Sequence, residues 1–154
     1  MYTEIEQQTL DIDWFFTDGK NIGFVASGGG KLPKTIAESS ENNKKLISYF
    51  RNLPDICNAL INPNLDSLLN EIFGSGVDER YLQDFELMTK KGLYSFDKTY
   101  LNKFYDNNYH LVTTPLTPLI VENLPQDIFD ILIKTKYSAN NISSISAIDI
   151  NKIS

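Results

Sequence analysis

The stretch from Ile12 to Pro33 constrains this chain more than any other, because it asks for a tight reversal and a close backbone approach within one short segment. Ile12 to Phe16 and Ile22 to Ala26 are rich in aromatic and β-branched residues. They flank a polar segment containing Asp18-Gly19, a strong hairpin signal. Five of the eight glycines fall here (Gly19, Gly23, Gly28, Gly29 and Gly30), together with the only tryptophan and three of the nine phenylalanines. An antiparallel hairpin followed by a glycine loop is expected. A hairpin alone is marginal, so Trp14 and the alternate hairpin residues are expected to lie under a covering element.

The rest of the chain supplies that cover. Tyr2 to Leu10 reads as a leading strand or an ordered arm. Thr35-Ile36-Ala37-Glu38 fits a capping box, with Ser39 or Ser40 as a second start, for a helix through Leu46, Ile47, Phe50 and Leu53 that Pro54 ends. Asn62 as cap, Pro63 at the first position and Leu65, Leu68, Leu69, Ile72 and Phe73 at core spacing predict a second helix closed by Gly74. Asp78 or Ser75 begins a third, carrying Tyr81, Leu82, Phe85 and Met88 on one face before Gly92. Strands are expected over Leu93 to Phe96 and Tyr109 to Thr114, a helical turn over Thr99 to Tyr105, and brief pairing at Leu119 to Val121. Asn123 to Pro125 opens a last helix. The tail from Ser138 reads as a terminal strand or a loosely docked extension. The order predicts one α+β domain over residues 1–154: a mainly antiparallel sheet with an N-terminal hairpin and about four helices packed on it.

Several function classes are disfavoured at once. A net charge of −6 repels phosphate backbones, so no nucleic-acid partner is expected. No apolar run approaches the roughly 20 residues of a membrane span, and Met1 to Leu10 lacks a signal-peptide pattern. Cys57 is the only cysteine, which rules out an intrachain disulfide and a cysteine zinc cage. A bacterial cytoplasmic protein fits these features. His110 is the only histidine and no sequence feature marks a nucleophile beside it, so no catalytic residue, metal or cofactor is assigned. Asp11 and Asp13 would project to one side of a strand, where oxygen ligands can hold Mg²⁺, although a solvated strand face is the commoner case. Asp18-Gly19-Lys20 echoes half of a metal-dependent nuclease site, but turn chemistry accounts for it.

Gly28, Gly29, Gly30 and Lys31 invite comparison with anion-binding loops. A Walker loop would need Gly at Val25 and Ser or Thr at Leu32, and a dinucleotide fingerprint would need Gly at Pro33. A structural turn is the expected role.

Trp14-Phe15-Phe16-Thr17-Asp18-Gly19, Ile22 to Gly29, Leu32-Pro33, Gly92 to Asp97 and Pro115-Leu116 together resemble small uncharacterised bacterial proteins of the immunity type found with polymorphic toxins. The resemblance touches about a third of the chain. It implies a non-catalytic protein that binds and blocks a cognate toxin, without identifying that toxin. The acidic residues Asp11, Asp13 and Asp18, with Asp78, Glu79, Asp84 and Glu86, are the candidate contacts for a basic toxin if they form one surface. The alternative is a small enzyme or ligand-binding domain using the Gly28 to Gly30 loop.

Overall fold

Phe16 and Gly23 face each other across a hairpin, and a Cβ on Gly23 would clash with the Phe16 ring, coming within 2.8 Å of three of its carbons. The computed structural model describes all residues from Met1 to Ser154. Strand β1 (Asp13–Thr17) pairs antiparallel with β2 (Ile22–Ala26), as the aromatic and β-branched runs predict. The reversal uses four residues, Asp18 to Asn21. Asp18 Oδ1 accepts from the Lys20 and Asn21 amides at 2.8 and 2.7 Å, and Gly19 takes φ +99°.

The expected leading strand or arm is instead helix α1 (Glu4–Thr9). Thr3 accepts from the Glu6 amide and the Glu6 carboxylate accepts from the Thr3 amide, a reciprocal capping box that overrides the extended reading. The short α2 (Lys34–Ala37) begins after Pro33 with no side-chain cap, so Thr35 does not start it. Ser39 does cap α3 (Ser40–Arg51), accepting from the Asn42 amide at 3.3 Å. Helix α4 (Leu65–Phe73) starts two residues later than the Asn62-Pro63 pattern suggests. Asn62 is buried and holds the sheet instead: its Nδ2 donates to the Leu111 carbonyl and its Oδ1 accepts from the Asn64 amide. Asp78 caps α5 (Glu79–Thr89), and Pro125 precedes α6 (Gln126–Leu132).

Strands β3 (Ala59–Ile61), β4 (Tyr94–Lys98), β5 (Asn108–Pro115) and β6 (Ala147–Asp149) complete a six-stranded sheet in the order β1-β2-β4-β5, where β3 and β6 share the far edge of β5. Residues 99–105 form turns rather than a helix, and Val121–Asn123 is one 3₁₀ turn rather than a pairing strand. The class is α+β. The sheet is mixed, because β2 and β4 run parallel while the other four ladders are antiparallel. Six helices are present in place of the four expected.

Both faces of this sheet are covered, which is why β2 is buried at every residue rather than at alternate ones. One face, with Phe15, Phe24, Ala26 and Val112, packs against α3 to α6 through Phe50, Leu65, Phe85 and Leu132. The other, with Trp14, Phe16, Phe96, Tyr109, Leu111 and Ile148, is covered by Tyr2, Ile36, Tyr137, Ile142 and Ile150. The segment after Ser138 is therefore a wall of the second core, not an appendage. Its end closes the sheet toward β1: Thr17 brackets residues 135–137 through two backbone bonds, and Lys136 and Ser154 exchange bonds of 2.9 and 3.0 Å.

Candidate functional site

One transverse row of the sheet brings together two carboxylates and the only histidine. Asp13, Ala26, Asp97, His110 and Ala147 are successive register partners across β1, β2, β4, β5 and β6. Paired residues share a face, and this row turns toward the helices. Helix α3 lays Arg51 on one end, and α5 lays Tyr81 on the other.

At the β1 end, Arg51 Nε and Nη2 each reach Asp13 Oδ2 at 2.7 Å, while its Nη1 and Nη2 bond both oxygens of Asp84 at 2.9 and 3.0 Å. The guanidinium thus ties α3 to β1 and α5 at once. The two carboxylates are unequal. Asp13 has a side chain 16% exposed, and burial pushes its pKa up against the opposing pull of Arg51; Asp84 is 51% exposed. At Arg51 the balance reverses, since bonding to Asp84 and Asp13 outweighs burial and holds the cation firmly charged. Asp11, Lys44 and Leu10 complete a groove of about 520 Å³ around this cluster.

At the β4–β5 end, Tyr81 Oη lies 2.7 Å from Asp97 Oδ2 and 3.0 Å from His110 Nε2, and His110 Nδ1 lies 3.0 Å from Thr99 Oγ1. Asp97 Oδ1 accepts from the Lys98 amide. Burial pushes the Asp97 carboxyl up to about 7, and burial pushes His110 down to about 4. With Asp97 ionised and His110 neutral, donor counting fixes one arrangement. Tyr81 donates to Asp97, Nε2–H donates to Tyr81, and Thr99 donates to Nδ1. Thr99 and His110 open on a cavity of about 450 Å³.

The structure thus gathers some of the sequence candidates and separates others. Asp11, Asp13 and Asp84 meet in one groove. Asp18 lies at the far end of β1, its Oδ2 accepting from the Ile142 amide. Asp78 is committed to the Tyr81 amide as a helix cap. Glu79 and Glu86 line a separate solvent-facing depression beside Asp55, Arg80 and Lys90. Asp11 and Asp13 do not share a ligand position: Asp11 accepts from the Gly28 amide, and Asp13 belongs to Arg51.

The glycine loop is engaged with its own chain. The Gly28 amide bonds Asp11, Gly30 bonds the Ser27 carbonyl, and Lys31 bonds the Phe104 carbonyl. A Cβ on Gly30 would meet Tyr109 Oη and the side chain of Lys98 within 3 Å, so close packing accounts for that glycine. Buried Lys98 donates to the Asp106 carbonyl at 2.7 Å and lies over the Tyr109 ring.

Sequence reasoning did not reach Asp97, Tyr81, Thr99 or Arg51 as site residues. The available signal was an Asp-Lys pair inside an otherwise apolar strand, opposite the strand that holds the sole histidine. No protein-family model, curated protein or solved structure matches this chain.

Proposed function

We propose that this is a non-catalytic binding protein of the immunity type, which neutralises a basic bacterial toxin through its acidic groove. One observation carries the reading: Asp13 and Asp84, far apart in the chain, converge on a single guanidinium with Asp11 beside them. A partner arginine or lysine entering this groove meets the exposed Asp84 and Asp11 carboxylates next to the half-exposed Leu10 side chain. Such charge complementarity acts mainly on the association rate, and a net charge of −6 adds long-range steering toward a cationic target.

The deciding measurement is binding to the toxin encoded beside this gene, together with co-expression rescue. Micromolar or tighter binding and survival of cells carrying the toxin are the expected results. Absence of binding at that concentration, or failure to rescue, ends the immunity reading.

A further inference from the structure

The cavity beside the tyrosine–histidine relay is separate from the acidic groove and has a different chemistry. Its lining combines Asn64, Thr99, Tyr100 and Ser146 with the apolar side chains of Leu68 and Ala147, and no lining residue carries a formal charge. Its volume of about 450 Å³ lies within the roughly 300–1,000 Å³ common for small-molecule sites. Amides and hydroxyls both donate and accept, which matches alcohol groups. A charged ligand would be desolvated there without a counter-ion. The Tyr100 ring, 42% exposed, offers an apolar face at the rim. The Asn64 side chain makes no capping bond with α4, so it is not consumed by the fold.

We infer that this cavity binds a small neutral polyhydroxylated molecule, a sugar or sugar-like polyol, with Thr99 as the buried residue that reads one of its hydroxyls. The relay makes Thr99 a defined reader. While Asp97 is ionised, Thr99 donates its hydrogen to His110 Nδ1 and shows the cavity an acceptor. When Asp97 takes a proton on Oδ2, that acid donates to Tyr81, Tyr81 donates to Nε2, and Nδ1–H donates to Thr99. The Thr99 hydrogen is then released from His110 and free to donate to a ligand. Ligand preference is thereby coupled to one proton. The groups facing Asp97 are Tyr81 from α5 and His110 from β5; the charge of Asp11, in the segment before β1, acts on it through space, while Lys98 turns its amine away to Asp106.

The test uses the full chain and its single histidine, whose ring signals need no assignment by mutation. D-Glucose, D-galactose and N-acetyl-D-glucosamine are titrated to about 20 mM, with Kd values in the millimolar range detectable. Glucose 6-phosphate and glucuronate serve as charged counterparts. A saturable shift of the His110 ring by a neutral sugar is expected. It should weaken at least tenfold in Thr99→Val, return in Thr99→Ser, weaken in Asn64→Ala and be absent with the charged counterparts. No saturable shift with any of the three sugars overturns the proposal. So does equal binding by the charged counterparts, or unchanged affinity in folded Thr99→Val or Asn64→Ala. Because the acidic groove is not involved, toxin binding can fail while this site stands, and the reverse.

Discussion

Asp97 and His110 are direct cross-strand partners, yet they communicate through Tyr81, a residue of the helix lying over them. Their pKa values move in opposite senses for the same reason, since burial opposes charge on either group. Between the ordinary carboxylate value of 3.8 and about 7, the folded state holds a proton on Asp97 that the unfolded chain releases. This contribution to stability is fully present below about 4 and is lost as pH rises to 7. His110 works the other way, because between about 4 and 6.5 the unfolded chain binds a proton that the folded one refuses. Its contribution is present above 6.5 and is lost as pH falls toward 4.

Replacing Asp97 with Asn imitates the protonated carboxyl, because the amide nitrogen donates where the acid hydrogen would. Asp97→Asn should raise stability at pH 8 by roughly 2–4 kcal/mol, the scale set by a carboxyl moved from 3.8 to about 7. It should also hold His110 as the Nδ1–H tautomer at both pH 5 and pH 8, above the value of about 4 at which the ring takes a second proton. Urea unfolding at pH 5 and 8 and imidazole ¹⁵N shifts check both. A wild-type-like tautomer in the variant would mean that the relay does not run through Asp97.

Arg51→Ala should cost about 1–3 kcal/mol, because it strands Asp13 in a largely buried position. Asp84→Ala should cost less than about 1 kcal/mol, since Asp84 is half exposed and solvent takes over its partner. A double-mutant cycle between Arg51 and each carboxylate would reveal the difference as unequal coupling energies.

Trp14 is fully buried and meets Tyr109 edge-on, with ring centroids 6.0 Å apart. Trp14→Ala should lower stability by roughly 3–5 kcal/mol. Trp14→Phe should cost distinctly less, because the indole Nε1 is buried without a partner and its removal relieves an unmet donor. Denaturation midpoints of the two variants, measured with unchanged slopes, decide the ranking.

Ile142 is fully buried on the face opposite the helices. Ile142→Ala should destabilise by about 2–5 kcal/mol, as for a central core position. A loss below about 0.5 kcal/mol in urea unfolding would detach the last segment from the core.

For the binding reading, charge removal must spare the residues that hold the fold. Reversing Asp78 or Asp84 would break a helix cap or the Arg51 cluster. Asp11→Asn keeps an acceptor for the Gly28 amide, and Glu79→Lys with Glu86→Lys alters only the outer face of α5. The triple variant should associate with the toxin more slowly. Wild-type association should slow as salt rises from about 0.05 to 0.5 M and the screening length shortens from about 14 to about 4 Å. Stopped-flow rates provide the readout.

Sequence patterns were informative where a local rule and the tertiary structure agree. The hairpin, α3 from Ser39 and α5 from Asp78 follow from side chains that satisfy nearby backbone groups, and the close of α4 at Gly74 from a backbone free to turn left-handed. They failed where a distant partner decides. Asn62 looks like a cap in isolation but is claimed by Leu111 of β5, and α4 starts later for that reason. The parallel β2–β4 ladder is invisible locally, because four helices and strand β3 intervene between the two strands. The candidate site is likewise a product of register: only the lateral alignment of β1, β2, β4 and β5 puts Asp13, Asp97 and His110 in one row.

The exchange of backbone bonds between Lys136 and Ser154, beside the bracket from Thr17, has a kinetic meaning. The end of the first strand, at Thr17, is bridged by residues more than a hundred positions later in the chain. Until those residues emerge from the ribosome, the aromatic hairpin lacks its bridge at Thr17, and its Trp14 face is covered only in part, by Tyr2 and Ile36. Such non-local closure slows folding and leaves a strand available for mispairing. The hairpin that begins the sheet is therefore among the last parts of the molecule to become secure, and nascent chains stopped before residue 135 should be more prone to aggregation than the finished protein.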